Sequence, residues 1–230
     1  MNKTGISAQE VSEFKEKYCN ENVIIAEILN SQLSSFLAPT ILDVGAGLGD
    51  IAYNALQGKR AILLDVNQDY ELSNIRPQHK RITGSIFEYE PEEPIETVFI
   101  SHTLQFLDES VENLNSKLNR IGAKNLILVT NTNMDFMGKI ILWLEHVGIQ
   151  ANPEVALEGF PYGYSLKRRT PFTATITCPN FRILAMQISY LMLFNLEIIE
   201  RELILFLQQS LTAPTFQINQ TIDIYEKDAR

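Results

Sequence analysis

Two cysteines and three histidines in 230 residues leave little material for metal or redox chemistry. Cys19 and Cys178 stand apart, with no thiol or imidazole at a ligand spacing. That argues against a zinc site and against a disulfide framework. No run of 18 apolar residues exists either. The most apolar stretch, 183–207, is interrupted by Gln187, Ser189, Asn195, Glu197, Glu200, Arg201 and Glu202, so no membrane span is expected. The first ten residues have no apolar core and do not read as a signal peptide, which makes the cytoplasm the expected compartment. Positive charge is scarce: 19 Lys and Arg against 28 Asp and Glu leave a net charge of -9. Nucleic-acid binders draw much of their affinity from phosphate neutralisation, so no nucleic-acid partner is expected. Lys167-Arg168-Arg169 is the one basic cluster, and it reads as a solvated surface or as a pair for a substrate carboxylate or phosphate.

What is present is an ordinary apolar fraction of 45%, enough for one well-buried core. Helical spacing runs through 8–37, with Val11, Phe14 and Tyr18 followed by Ile24, Ile25, Ile28, Leu29, Leu33 and Leu37. Strands are predicted at 41–44, 61–65, 81–83, 97–101 and 126–130, with helices after Gly49 and over 109–121. A short helix or turn is placed at 69–76. Residues 87–96 carry five glutamates and two prolines and read as an exposed connection. Strands bounded by helices at this pace predict a mostly parallel α/β sheet covered on both faces. Beyond 131 the pattern changes. It shows a helix at 135–147, a long connection at 148–164, a strand at 173–177, one or two helices over 180–208 and an alternating strand at 216–225. The whole chain, 1–230, reads as a single domain with a variable insertion at 132–212.

Residues 41–50, Ile-Leu-Asp-Val-Gly-Ala-Gly-Leu-Gly-Asp, carry the functional signal. An apolar strand ends in glycines at 45, 47 and 49, which let the main chain approach a ligand. Sixteen residues after Gly49, the run Ala61–Leu64 ends in Asp65. A glycine turn after one strand and a carboxylate at the tip of the next make a nucleoside-binding crevice. The spacing is not the dinucleotide G-x-G-x-x-G, whose third glycine would fall at Asp50, and no P-loop Lys-Ser/Thr follows. Asp65 is placed to accept hydrogen bonds from both ribose hydroxyls and would repel a 2′-phosphate. Asp43 is placed to reach the ligand or to orient the turn.

These residues resemble the nucleotide loop of the class I S-adenosylmethionine-dependent methyltransferases. The resemblance covers roughly 38–131. It implies a Rossmann-like seven-stranded sheet of order 3-2-1-4-5-7-6, with helices on both faces and 216–225 as the antiparallel seventh strand. It also implies S-adenosylmethionine as cofactor and S-adenosylhomocysteine as product. Cofactor contacts are implied for Asp43, Gly45, Ala46, Gly47, Gly49, Asp65 and Val66. Ser85 and Ile86 fall where the family holds the adenine edge, although Asp is commoner than Ser at position 85. Ser101 and His102, in Ile100-Ser101-His102-Thr103-Leu104-Gln105-Phe106-Leu107, fall beside the methionine part. Residues 1–37 would form a helical lid, with Phe14 and Tyr18 on the cofactor and substrate.

Methyl transfer from a sulfonium is an in-line displacement that needs alignment and exclusion of water. An acceptor with a proton also needs a base. His102 is the best-placed candidate, since it stands at a strand's carboxyl end; the other reading is that it packs on the cofactor. His79 reads as solvent-facing and His146 as a packed helix residue. Phe106, Tyr162, Tyr164 and Arg168 are the candidate substrate contacts, with the tyrosines equally able to pack a long loop. The expected function is methylation of a nitrogen or oxygen on a small molecule by a monomer or homodimer, without a metal. A protein methyltransferase and a non-catalytic scaffold of the same fold are the alternatives. The amide- and base-methylating signatures, Asn/Asp-Pro-Pro-aromatic or a Pro-Cys pair, are absent from 101–106.

Overall fold

In a computed structural model of the protein, the described residues are 13, 15–37, 39–67, 75–104, 107, 110–132, 136–150, 160–192 and 194–229. The expected turn at 69–76 falls outside them except for its last two residues. So do the expected lid residues Val11 and Phe14.

The chain order is α1 (Glu21–Gln32), β1 (Thr40–Val44), α2 (Asp50–Ala55), β2 (Arg60–Asp65), β3 (His79–Thr83) and β4 (Thr97–Ser101). There follow α3 (Val111–Ile121), β5 (Asn125–Asn131), α4 (Phe136–His146), β6 (Tyr164–Thr177), α5 (Phe181–Leu191), α6 (Glu200–Ser210) and β7 (Thr215–Lys227). The seven strands form one sheet in the order β3-β2-β1-β4-β5-β7-β6. β1 to β5 pair in parallel, with Leu42 opposite both Ile62 and Val98, and Ile100 opposite Leu128. Largely apolar runs make β1, β2, β4 and β5, whose two faces are buried. β3, His-Lys-Arg-Ile-Thr, lies instead at the sheet edge with only His79 buried. α3 has the clearest end signals. The Ser110 side chain accepts from Asn113 N, and Gly122 closes the helix in the left-handed region with its N–H on Leu118 O.

By internal contacts the chain divides into two compact units: 22–130 with 156–172 and 221–230, and 1–21 with 131–155 and 173–220. β6 and β7 have residues in both. In the first unit the two-residue period of a strand sorts side chains into two cores. Ile41, Ala61, Leu63, Phe99, Ile127 and Val129 pack with Ile25, Leu29, Ala52 and Leu56 of the α1 and α2 segments. Leu42, Ile62, Leu64, Val98 and Ile100 pack with Leu114, Leu118 and Ile121 of α3 and with Ile86, Tyr89 and Ile95 of the acidic connection. The second unit packs α4, α5 and α6 around Ile176, Phe216 and Ile218, with Trp143 stacked on Phe206 at 4.9 Å.

Four readings need correction. The expected connection at 148–164 overlaps β6, which starts at Tyr164 and not at 173. Residues 165–169 are exposed on successive positions, so this edge strand has no alternation to betray it. The helical spacing over 8–37 is broken at Cys19, which forms an isolated antiparallel bridge with Ile176, before α1 begins. Residues 180–208, within the expected one or two helices, form two, α5 and α6, around a short 3-10 turn at Leu196–Ile198. His79 is buried at the head of β3, not solvent-facing, and His146 is exposed at the end of α4, not packed.

Candidate functional site

The site is assembled at the carboxyl ends of β1, β2, β3 and β4, all within the first unit. Alternation along the strands puts Asp43, Asp65 and Ser101 on the face shared with Ile41, Leu63 and Phe99. The turn after β1 hangs on β2: Gly45 N and Ala46 N both donate to Leu64 O, at 2.8 and 3.2 Å. Gly49, with φ +82°, caps α2 and accepts from Tyr53 N at 2.8 Å.

Gly45 and Gly47 are glycine for different reasons. At Gly47, φ is +54° and a Cβ would meet no atom within 4 Å. The missing side chain there leaves open space against bare main chain. At Gly45, φ is +71° and a Cβ would fall 2.2–2.8 Å from Oγ1, Cγ2 and Cβ of Thr103. That glycine is demanded by the protein's own packing.

Asp65 spans the same turn. Its Oδ2 accepts from Gly47 N at 2.8 Å and its Oδ1 from Asn67 N at 2.9 Å. A carboxylate oxygen accepts twice, so each retains a site for a ligand hydroxyl. Arg81 of β3 completes the clamp, donating from Nη1 to Gly47 O at 2.8 Å and from Nη2 to Asn67 O at 2.9 Å. Gly84 N donates to Asp65 O and fixes the end of β3 against β2.

Asp43 is 3% exposed at the end of β1. Burial, and then the neighbouring charge of Asp65, push its carboxyl up to about 7. The hydroxyl of Ser101 is likewise buried, and it has no hydrogen-bond partner among the described residues. Buried polar groups in native proteins are nearly always paired, so the orphan Ser101 hydroxyl and the buried Asp43 carboxyl, at the ends of the strands that flank the glycine turn, mark a place suited to a polar ligand.

His102 follows Ser101 with φ +50°, the one non-glycine residue in the left-handed region among the described residues. Such backbone strain collects at functional sites. Its N–H donates to Val129 O at 3.1 Å, which anchors the turn to β5.

The remaining predicted residues have these positions. Ala46 is half-buried within the turn, and Val66 is 71% exposed just beyond Asp65. Ser85 stands in the loop after β3, its Oγ accepting from Phe87 N at 3.2 Å. Ser85 also borders a cavity of about 280 Å³ floored by Ile62, Leu64 and Ile82. The Ile86 side chain is buried in the core, leaving only its main chain for a ligand. Tyr18 packs in the core of the second unit. Tyr164 is a core residue and not a pocket wall: it is buried and its hydroxyl donates to Ala123 O at 2.9 Å. That burial pushes its phenol up to about 12. Tyr162 is 75% exposed, held through its N–H on Asn115 Oδ1. Arg168 reaches Gln32 O at 3.2 Å on the surface. Phe14 and Phe106 lie outside the described residues. The sequence reading missed Thr103 and Arg81. Thr103 stood inside the quoted fourth-strand segment, but nothing in its spacing says which glycine it touches. Arg81 bears no motif at all.

Sheet order and glycine turn together define the class I S-adenosylmethionine-dependent methyltransferase fold. No protein-family model and no curated protein matches the sequence. Solved structures do match. The chain is similar to a methyltransferase candidate from Bacillus halodurans, at 13% identity and a TM-score of 0.59 over 87% of this chain and 100% of that one. It is similar to the YcgJ protein of Bacillus subtilis, at 11% identity and 0.58 over 84% and 94%. It is also similar to the N-methyltransferase NodS of Bradyrhizobium japonicum, solved with S-adenosylhomocysteine, at 9% identity and 0.51 over 94% and 88%.

Proposed function

We propose that the protein is an S-adenosylmethionine-dependent methyltransferase acting on a nitrogen or oxygen of a small molecule. The observation that carries this is the buried carboxyl of Asp43 at the end of the strand that leads into the glycine turn, the open space at Gly47, and Asp65 on the next strand still able to accept. A cofactor with an ammonium, a bare edge and a ribose diol satisfies all three. When bound, the cofactor supplies an electrophilic methyl on a sulfonium.

The residues present fit that group, and each has a role. Asp65, held by Gly47 N, Asn67 N and indirectly by Arg81, accepts from the ribose hydroxyls. Asp43 and Ser101 face the amino-acid end, where a cation suits the one and a polar atom the other. Ser85 and the main chain of Ile86 meet the adenine edge, and Val66 covers it. His102 accepts the acceptor's proton where one must leave, and needs to do nothing for an amine already neutral. The net charge of -9 supports a small-molecule acceptor over a nucleic acid.

Calorimetry with S-adenosylhomocysteine tests this. Binding in the micromolar range is expected, about -8 kcal/mol. Asp65→Ala should cost roughly 1.5–3 kcal/mol, the scale of hydrogen bonds to a charged group. His102→Ala should lower turnover with cofactor affinity preserved. No binding by the unaltered protein would leave the scaffold reading in its place.

A further inference from the structure

We infer that Thr103 is a positioning residue for this site: it locks the glycine turn onto the end of β4, so that the cofactor loop and the backbone of His102 move as one unit. The inference rests on the reading of the site as a cofactor pocket.

The Thr103 hydroxyl lies 2.9 Å from Ser101 O and 3.2 Å from Val44 O. Its one proton is shared between these two acceptors, the last carbonyl of β1 and the last carbonyl of β4, so a single group bridges both strand ends. These are the strand ends from which the glycine turn and His102 depart. The Thr103 side chain also fills the space where any Cβ at position 45 would stand. Rotating the side chain cannot relieve that overlap, because the Thr103 Cβ itself lies 2.8 Å from the position. Gly45 and Thr103 are therefore complementary, and neither is free to change alone. The residue between Ser101 and Thr103, His102, takes the left-handed conformation. That is what lets the chain double back and present Thr103 to the turn. The strain at His102 is offset by the Thr103 contacts and by the His102 N–H on Val129 O. A ligand that pushes on the turn pushes on His102 through Thr103, and the reverse holds by reciprocity.

The test is calorimetric binding of S-adenosylhomocysteine to the full chain, with each variant's fold checked by near-ultraviolet circular dichroism. Thr103→Ser keeps the hydroxyl and should bind within about twofold of the unaltered protein. Thr103→Val keeps the shape but loses the shared hydrogen bond, and should bind about tenfold more weakly, the worth of a buried hydrogen bond. It should also lower kcat while the acceptor's KM holds, which a merely structural role would not do. Gly45→Ala should weaken binding by roughly fiftyfold or more in the natural background. In a Thr103→Gly background it should cost less than about tenfold, the residue of left-handed strain alone. Equal costs in both backgrounds, or natural affinity in Thr103→Val, would overturn the inference. If Gly45→Ala does not fold, the Val and Ser pair decides. Absence of binding by the unaltered protein defeats the cofactor reading itself, an outcome distinct from a failed coupling.

Discussion

Asp43 holds an unusual charge state for its surroundings. In an unfolded chain it ionises near 3.8, while in the fold it keeps its proton up to about 7. The fold therefore binds more protons than the unfolded chain across that window, and its stability falls as pH rises from about 4 to 7. Asp43→Asn removes this dependence, and chemical denaturation at pH 5 and pH 8 should show the variant gaining on the natural protein at the higher pH, by on the order of 3 kcal/mol. A cation placed beside Asp43 reverses the preference. Affinity for S-adenosylhomocysteine should then climb between pH 5 and 7, by up to about tenfold per pH unit, and level off above it. Titration in two buffers of different ionisation heat reads the released proton directly, and a flat profile would separate Asp43 from the ligand. His79 titrates in the opposite sense. Burial lowers its imidazole below 6.5, and a favourable neighbour, the Leu56 backbone, does not reach hydrogen-bond geometry. The unfolded chain binds the extra proton here, so this contribution to stability is complete above about pH 6.5 and is lost as pH falls below it. His79→Leu should flatten the acid limb of a melting-temperature profile.

At the scale of elements, the site depends on three strand ends held in register by one side chain. Arg81 carries two carbonyls on one planar fork, from the turn after β1 and from the segment after β2. A lysine is a point donor and cannot span both. Arg81→Lys should therefore weaken S-adenosylhomocysteine binding about as much as Arg81→Met, roughly tenfold, with turnover at saturating cofactor little changed. A lysine variant with natural affinity would refute the clamp. Of the five parallel strands, β1, β2, β4 and β5 were legible as largely apolar runs, and a run buried on both faces needs no alternation. β3, His-Lys-Arg-Ile-Thr at the sheet edge, showed only as a short strand at 81–83. β6 was half legible: Ala174 and Ile176 face a core, whereas Ser165 to Arg169 lie along an exposed edge where nothing selects a pattern. The glycine turn was legible as a turn. Which glycine serves a ligand and which serves Thr103 was not, since that depends on a contact across 58 positions between residues 45 and 103.

For the whole molecule, net charge is the governing quantity. With -9 overall, and with Lys167 and Arg169 paired to Glu226 and Asp223, no broad cationic surface is available among the described residues. Transfer RNA should show no retention in a filter-binding assay at about 0.15 M salt, where non-specific binding rests on counterion release. Retention would shift the acceptor from a small molecule to a nucleic acid. Among the described residues no helix is long and apolar enough to cross a membrane.

By itself the amino-acid sequence determined the order of strands and helices through Asn131, the glycine turn and the acidic residue on the following strand. These follow from local rules: burial sets the apolar runs, and main-chain conformation sets the glycines. Only the tertiary structure decided that Asp43 lies buried near the charge of Asp65, that Arg81 clamps two neighbouring loops and that Thr103 occupies the space Gly45 leaves. Burial and hydrogen bonding between residues far apart in the chain depend on strand order and register, and no local spacing records them.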